Sequence, residues 1–188
     1  MAGGFLSRHP GEIILPGFQL FGVKESMHSV QIYLRPANIT ELDAINRVIE
    51  KAVMRWKLPE RVKRLSLPLY RYDAMDFKAL QIIVAHDGRN IVGIAAWETA
   101  DRDETPGNAS ALLLHGLYVD PAHQRKGIGQ QLFRAAESAM HDQNFDGLIV
   151  KAQESADGFF LSQGMYRLDP GDPGRHYANR FWKSAGIG

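Results

Sequence analysis

DPAHQRKGIGQQLF, residues Asp120–Phe133, joins an apolar, strand-like run to a segment with helical periodicity. Its two glycines, Gly127 and Gly129, follow three polar or basic residues at this junction. The N-terminus of a helix binds anions, because its first N–H groups lack partners and carry a partial positive charge. Glycine lets the backbone approach a phosphate closely, and successive amides form a concave nest. We interpret the junction as a pyrophosphate-binding turn. The alternative is that the glycines only allow a tight turn from strand to helix.

Two common phosphate-binding motifs do not fit this stretch. A dinucleotide-binding fingerprint needs a third glycine where the chain has Leu132, and the nucleoside triphosphate loop G-x-x-x-x-G-K-[ST] is absent. The glycine turn therefore belongs to another class of anion site, if it binds an anion at all.

The segments around the glycine turn predict alternating strands and helices. A buried strand over Ala111–Val119 precedes it, and a helix follows to about Gln143. Two apolar runs around Asp87–Asn90 predict a β-hairpin. The predicted apolar face of the helix consists of Ile128, Leu132, Ala135, Ala136 and Ala139.

The flanking regions complete the predicted order of elements. A strand over Val30–Ala37 leads to a capping box at Asn38 and Glu41 and a helix to about Met54, and Trp56–Phe77 predicts a short helix or two with a loop. After the glycine turn, GLIVKA predicts a strand, SADGFFLSQ a short helix capped by Gly164, and MYRL and HYANRFWK two last strands. The fold class is α/β, in the α+β sense of a mixed sheet flanked by helices.

The composition excludes several classes of function. The 188 residues are 45% hydrophobic and 23% charged with a net charge of +1, which gives no sign of a nucleic-acid binder. The chain has no cysteine, so disulfides, thiolate metal sites and a cysteine-bound intermediate are excluded together. The histidines show no metal-ligand spacing, and no run is long enough to span a membrane. We expect no metal, no membrane contact and a cytoplasmic location.

The domain organisation follows from the same patterns. Residues 1–29 are interpreted as a flexible leader or tag-like extension, with Met27 as a candidate natural start, because prolines and charges interrupt their apolar stretches. The alternative is a natural segment that covers the domain or a partner subunit. Residues 30–185 are predicted to form one domain.

The longer stretch LYVDPAHQRKGIGQQLF resembles the coenzyme A motif of the GNAT superfamily of N-acyltransferases, Q/R-x-x-G-x-G/A after a strand that ends in L-x-V-x-P. The resemblance covers about Val30–Lys183. It implies the GNAT-like acyl-CoA N-acyltransferase fold for the domain over 30–185. It also implies transfer of an acetyl group from acetyl-CoA to a primary amine of a small molecule or peptide, by direct attack in a ternary complex, with a homodimer as one allowed state. The alternative is a non-catalytic acyl-CoA-binding sensor module.

The resemblance also implies roles for single residues. The backbone of Leu117, Tyr118 and Val119 would bind the pantetheine arm, and the N–H of Val119 would stabilise the oxyanion. The residues expected to bind the pyrophosphate are Gln124, Arg125, Lys126, Gly127, Ile128, Gly129 and Gln130. Ser155 and Phe159 lie where the family flanks the thioester, but we interpret them as a helix cap and a core residue.

Two residues are candidates for the base that takes the proton of the amine. His115 lies in the strand before the turn, where many family members have a glutamate, and a neutral imidazole suits this work. Glu98 ends the neighbouring strand. The alternatives are a hydrogen-bonded core histidine and a solvated carboxylate at a strand end.

The residue that protonates the thiolate and the nature of the acceptor are both left open by the sequence. Phe160 stands where the family usually has the tyrosine that protonates the thiolate, so Tyr166, Tyr177, water or an unassisted departure could replace it. By family position, Trp56–Phe77 should line the acceptor pocket. Its basic residues favour either an acidic acceptor or a solvated basic face, and they are Arg61, Lys63, Arg64 and Arg71.

Overall fold

The computed structural model describes residues 31–171 and 176–186. Seven strands lie in this part of the chain: β1 (Tyr33–Pro36), β2 (Gln81–His86), β3 (Ile91–Thr99), β4 (Ala111–Val119), β5 (Gly147–Lys151), β6 (Tyr166–Arg167) and β7 (Arg180–Ser184). The α-helices are α1 (Leu42–Val53), α2 (Glu60–Tyr70), α3 (Asp76–Ala79), α4 (Ile128–Asp142) and α5 (Asp157–Ser162). The order of elements is the predicted one, and the predicted leader at residues 1–29 lies outside the described residues.

The strands form one mixed sheet in the order β1-β2-β3-β4-β5-β7-β6. Only β4 and β5 pair in parallel, and the other neighbours are antiparallel. The parallel pairing ends at Leu114 opposite Val150, although β4 continues to Val119. Beyond Leu114, β4 therefore pairs with β3 on one side only, and the sheet opens between β4 and β5.

A β-bulge lies at this opening. Ala96 pairs with Gly116 and Trp97 pairs with Leu114, so His115 is an extra residue in β4 without a register partner in β3. The extra residue changes the alternation of side chains, because Leu114 and Leu117 both pack on the same core cluster although they are three residues apart. The bulge thus changes the direction in which the side chains of β4 point next to the gap, as bulges near functional sites commonly do.

Helices cover both faces of the sheet. On one face, α4 contributes Ile128, Leu132 and Ala136 to the core, as predicted, and Phe133 and Met140 widen its buried stripe. On the other face, α1 packs on β3 and β4 through a second core cluster. None of the described helices is long and apolar enough to cross a membrane.

Two strands are shorter than predicted, and their partners explain why. The N-terminal strand was predicted over Val30–Ala37 but spans Tyr33–Pro36, because its partner β2 ends at His86, where the hairpin turn begins. The last strand begins at Arg180 rather than at His176, because Arg180 pairs with Lys151, the last residue of β5. Strand propensity alone does not show where a partner ends.

The predicted capping box is present at the start of the helical segment before α1. The Asn38 side chain accepts from the Thr40 N–H at 2.9 Å, and the Glu41 carboxylate accepts from the Asn38 N–H at 2.9 Å. Arg35 of β1 also donates to Glu41 at 2.6 and 2.8 Å, which joins the strand to the helix start. This contact, rather than burial, holds the pKa of Glu41 at about 2.

Asn38→Ala is expected to lower the free energy of unfolding by about 1 kcal/mol, the usual contribution of such a cap. The substitution removes the acceptor for the Thr40 N–H and keeps the Arg35–Glu41 pair. Chemical denaturation of both proteins measures the difference. Asn38→Ser keeps a capping oxygen and should be nearly neutral, so equal losses in the two variants would contradict the cap assignment.

Candidate active site

The opening between β4 and β5 forms a cleft of about 1310 Å³. One end lies at the glycine turn and the first turn of α4, where Gln124, Arg125 and Gly127 line it. The middle follows the free edge of β4 from His115 to Val119, and the far end is lined by aromatic side chains. The cleft thus brings together the predicted anion site and the predicted base.

The free edge of β4 directs backbone groups into the cleft. The Asp120 N–H donates to the Val92 carbonyl at 2.9 Å, on the side of β3. Successive amides of a strand point to opposite sides, so the N–H groups of Val119 and Leu117 point towards the gap. Tyr118 differs, since its side chain is buried in the core under α1, and this burial raises its pKa.

The glycine turn has the backbone of an anion nest. Arg125 (φ 63°) and Gly127 (φ 78°, ψ 0°) both adopt the left-handed region, and Gly127 is the N-cap of α4. In the first hydrogen bond of α4, the Gln131 N–H donates to the Gly127 carbonyl at 3.1 Å. The preceding amides, from Ile128 to Gln130, therefore have no intrahelical acceptor, which is the geometry that binds anions.

The side chains of the turn have different positions. Gln124 Nε2 donates to the Val119 carbonyl at 3.2 Å, which fastens the turn to the edge of β4. Lys126 Nζ donates to the Ala122 carbonyl at 3.1 Å and does not line the cleft. The Asp120 carboxylate accepts from the Ala122 N–H at 2.9 Å and from Lys51 of α1 at 2.8 Å. These contacts hold the backbone of the turn in place.

Gly129 lies where the helix faces the middle of the cleft. A Cβ at this position would lie 3.4 Å from Phe159 Cε2 and 3.7 Å from Leu117 Cδ2, at ordinary contact distances. Gly129, Gln130 and the buried Ile128 all belong to the lining. A side chain longer than a methyl group at Gly129 would therefore extend past Phe159 and Leu117 into the cleft.

His115 and Glu98 form a pair at the bulge. His115 Nδ1 lies 3.4 Å from Glu98 Oε1, and the two side chains are 43% and 36% exposed. Glu98 pairs in register with Leu113, and His115 lies two residues further along β4, at the bulge. Both side chains line the cleft, which rules out the alternative of a core histidine and leaves both groups within reach of a bound molecule.

Tyr72 is a site residue that the sequence analysis did not single out. It is 5% exposed, its ring centroid lies 6.1 Å from that of His115, and burial raises its pKa well above the usual range. Its hydroxyl lies over Gly116, where a Cβ would clash with it, and has no hydrogen-bond partner among the described residues. Asn46 fixes the backbone of Tyr72 with two bonds of 2.8 Å.

Phe160 lies in an aromatic cluster beside the cleft. It is 5% exposed and packs against Phe133, Phe159 and Phe181, with centroid distances from 5.2 to 6.3 Å. Phe159 reaches the cleft surface opposite Gly129, so it is more than a core residue.

The predicted cap Ser155 and the candidate proton donors Tyr166 and Tyr177 differ in their positions relative to the cleft. Ser155 lines the cleft, and no cap hydrogen bond from a side chain is present at the start of α5. Tyr177 lines the cleft, whereas Tyr166, half exposed on β6, does not.

The far end of the cleft has aromatic walls. Trp56 and Tyr70 meet edge to face at 4.9 Å, and Gln153 Nε2 lies 3.4 and 3.5 Å from the hydroxyls of Tyr70 and Tyr177. The predicted basic residues do not line this end, since Lys63 binds the Met54 carbonyl at 2.8 Å and Glu60 at 2.5 Å. The others of the basic set, absent from the lining, are Arg61, Arg64 and Arg71.

No metal site is evident in the described ranges, where no group of three or more histidines and carboxylates could hold an ion. The arrangement offers backbone donors, one imidazole–carboxylate pair and phenol groups. It suits the binding of an extended, partly anionic molecule and a proton transfer at its far end.

Solved structures with this fold include several acetyltransferases. The PaiA N-acetyltransferase of Thermoplasma acidophilum, in complex with coenzyme A, aligns with a TM-score of 0.63 and 15% identity over 82% of this chain and 99% of that chain. A GNAT family acetyltransferase of Brucella melitensis, in complex with acetyl-CoA, gives 0.58 and 18% over 84% and 90%. The ribosomal-protein-S18-alanine N-acetyltransferase of Escherichia coli gives 0.57 and 14% over 84% and 96%.

A family model supports the same assignment at the level of sequence. Residues 78–165 match the model described as an acetyltransferase (GNAT) domain, a range that contains the glycine turn, His115 and Glu98. No curated protein matches the chain significantly by sequence. Residues 78–165 thus match a GNAT acetyltransferase domain, the described chain has the fold of solved GNAT acetyltransferases, and both findings support its assignment to that superfamily.

Proposed function

We propose that the chain transfers an acetyl group from acetyl-CoA to a primary amine, by direct attack in a ternary complex. The observation that carries the proposal is the continuity of the cleft. It runs from the unpaired amides of α4, along the free edge of β4, to the His115–Glu98 pair. Structural relatives bound to coenzyme A or acetyl-CoA support the choice of cosubstrate.

The cosubstrate would lie along the cleft through backbone contacts. The pyrophosphate would accept hydrogen bonds from amides between Gln124 and Gln130, and Arg125 would add positive charge. The pantetheine arm would bind the backbone from Leu117 to Val119, which has no strand partner on the side of β5. This arrangement directs the thioester towards His115.

The chemistry needs two protons removed from the acceptor nitrogen, one before the attack and one after it. A primary amine arrives mostly as an ammonium ion, and His115 would remove its proton directly or through water. The free amine attacks the acetyl carbonyl carbon, and the N–H of Val119 would stabilise the oxyanion. Collapse of this intermediate breaks the C–S bond, and the attacking nitrogen gives its second proton to water or to the departing thiolate, which releases the amide and coenzyme A. Glu98, 3.4 Å from His115, would stabilise the imidazolium in the meantime.

A non-catalytic acyl-CoA sensor is the second candidate, because Phe160 replaces the usual proton donor. The two functions differ in turnover: release of free thiol from acetyl-CoA that depends on an added amine supports the transferase. Tight binding of acetyl-CoA without thiol release, over a panel of polyamines, aryl amines, amino acids, aminoglycosides and peptide N-termini, would support the sensor. A small molecule or peptide as acceptor, a homodimer and a cytoplasmic location stay predictions.

The Phe160 position also yields a prediction. We expect Phe160→Tyr to fold and to keep kcat within about tenfold, because an essential proton donor would contribute 10² to 10⁴ and the parent works without one. Thiol release and thermal unfolding measure the two effects. Tyr166→Phe, which removes a phenol outside the cleft, is the matched control. A folded Phe160→Tyr variant that binds coenzyme A but is inactive would show that the apolar ring itself is required.

A further inference from the structure

We propose that the aromatic end of the cleft is an acceptor subsite for a primary ammonium ion on an apolar or aromatic body without a carboxylate. The proposal rests on the proposed function and adds the chemical class of the acceptor. It stands on three independent features of the site, which are an unpartnered buried hydroxyl, a set of aromatic walls and the distribution of charge.

The hydroxyl of Tyr72 marks the position of the acceptor nitrogen. This oxygen is buried and has no hydrogen-bond partner in the described chain, although a buried polar group without a partner is costly. Its ring lies 6.1 Å from that of His115, which is paired with Glu98. An ammonium group between these three side chains would donate to the phenol oxygen and to the carboxylate and would give its proton to the imidazole.

The walls around this position fit an apolar body. Trp56 and Tyr70 pack edge to face, and Gln153 links Tyr70 to Tyr177 across the cleft. Aromatic faces attract cations through their quadrupoles and also offer apolar area to a ring. The Nε2 of Gln153 donates to the two phenols, so this donor is already engaged and is not free for a polar body.

The charges at this end favour a cation and oppose a carboxylate. Glu98 lines the subsite, Asp76 and Glu98 add to the burial that raises the pKa of Tyr72, and Glu154 does the same at Tyr177. The cations that line the cleft are placed or paired elsewhere, since Arg125 lies at the glycine turn and Glu104 binds Lys151 at 2.6 and 2.8 Å. A carboxylate beside the amine would therefore have no cationic partner.

The first test compares three amines with the full chain and acetyl-CoA. 2-Phenylethylamine has the proposed features, L-phenylalanine adds a carboxylate to the same body, and spermidine has cationic amines without a ring. We expect kcat/KM for 2-phenylethylamine to exceed that of each of the others by about tenfold or more. A smaller preference, or the reverse order, would overturn the proposal.

The same amines titrated into the coenzyme A complex separate this proposal from the proposed function. If 2-phenylethylamine binds at least about tenfold more tightly than the other two but no amine is acetylated, the transferase proposal fails and the subsite stands. Equal affinities for all three overturn the subsite, whether or not acetyl transfer occurs.

The second test removes the hydroxyl of Tyr72. Because this hydroxyl has no partner, Tyr72→Phe should leave the thermal midpoint unchanged or raise it, while kcat/KM for 2-phenylethylamine falls about tenfold. The affinity for coenzyme A should stay the same. Tyr33→Phe, an exposed tyrosine on the edge strand β1, is the control and should change neither quantity. A lower midpoint with unchanged kcat/KM would show a structural hydroxyl and would overturn its role in the subsite.

Discussion

His115→Ala is expected to lower kcat/KM for the amine by about 10²-fold or more, the low end of what a general base contributes. It should also flatten the acidic limb of the pH profile, because a general base has to be unprotonated to accept the proton of the amine. The affinity for coenzyme A should barely change, since the proposed contacts with the cofactor are backbone groups further along β4 and α4. Steady-state rates across the pH range and calorimetry measure these effects.

Glu98→Gln is the matched comparison for the base, because it keeps the size of the side chain that lies 3.4 Å from His115. If Glu98→Gln removes the acidic limb while His115→Ala keeps it, Glu98 is the base and His115 only supports it. If neither variant changes the profile, the proton leaves through water and the assignment of a base is wrong. Loss of the limb in His115→Ala alone is the expected result.

The overall fold could be predicted because its signals are local. Apolar runs predicted β2, β3 and β4, helical periodicity predicted α1 and α4, and the hairpin turn lies at Asp87–Asn90 as expected. Strand ends were less accurate, since they depend on where a partner strand stops. The buried stripe on α4 is also wider than predicted, because Phe133 and Met140, which lie at helical spacing from Ala136, are buried with it.

The candidate site also contains some features that the sequence predicted and some that it did not. The glycine turn was visible because it combines a strand end, two glycines and a helix start in one stretch. The pairing of His115 with Glu98 was not, because it depends on the register between β3 and β4, which no local pattern reveals. Tyr72 was missed for the same reason: Asn46, distant in sequence, fixes its backbone, and only the fold places its hydroxyl over Gly116.

The acceptor region shows how charge in a sequence can mislead. The four basic residues between Trp56 and Phe77 allowed an acidic acceptor, but none of their described side chains lines the cleft. Lys63 is the clearest case, since it is buried and bonded to the Met54 carbonyl within the same region of the chain. Three aromatic residues of that region line the cleft instead, and they are Trp56, Tyr70 and Tyr72.

A single substitution in the glycine turn can place a negative charge at the proposed phosphate site. Gly129 lies in the first turn of α4, which contains no acidic residue. A carboxylate there would be favourable for the helix, because it lies at the positive end of the helix dipole. Its Cβ would make ordinary contacts with Phe159 and Leu117. We therefore expect Gly129→Glu to fold, while its carboxylate occupies the region in which we place the pyrophosphate.

Gly129→Glu should lower the affinity for coenzyme A by at least about 10²-fold, because a like charge within about 4 Å of the pyrophosphate costs several kcal/mol even at a high effective dielectric constant. Gly129→Gln has the same size without the charge, so it isolates the steric part and should lose clearly less. Calorimetric titration with coenzyme A and with its dephosphorylated pantetheine fragment measures both parts, since the fragment lacks the pyrophosphate and should distinguish the two variants only weakly. Equal affinities of Gly129→Glu and the parent, in a folded variant, would mean that the amides of α4 do not bind the pyrophosphate. The pyrophosphate would then have to bind elsewhere along the cleft, and the glycines would only serve the tight turn between β4 and α4.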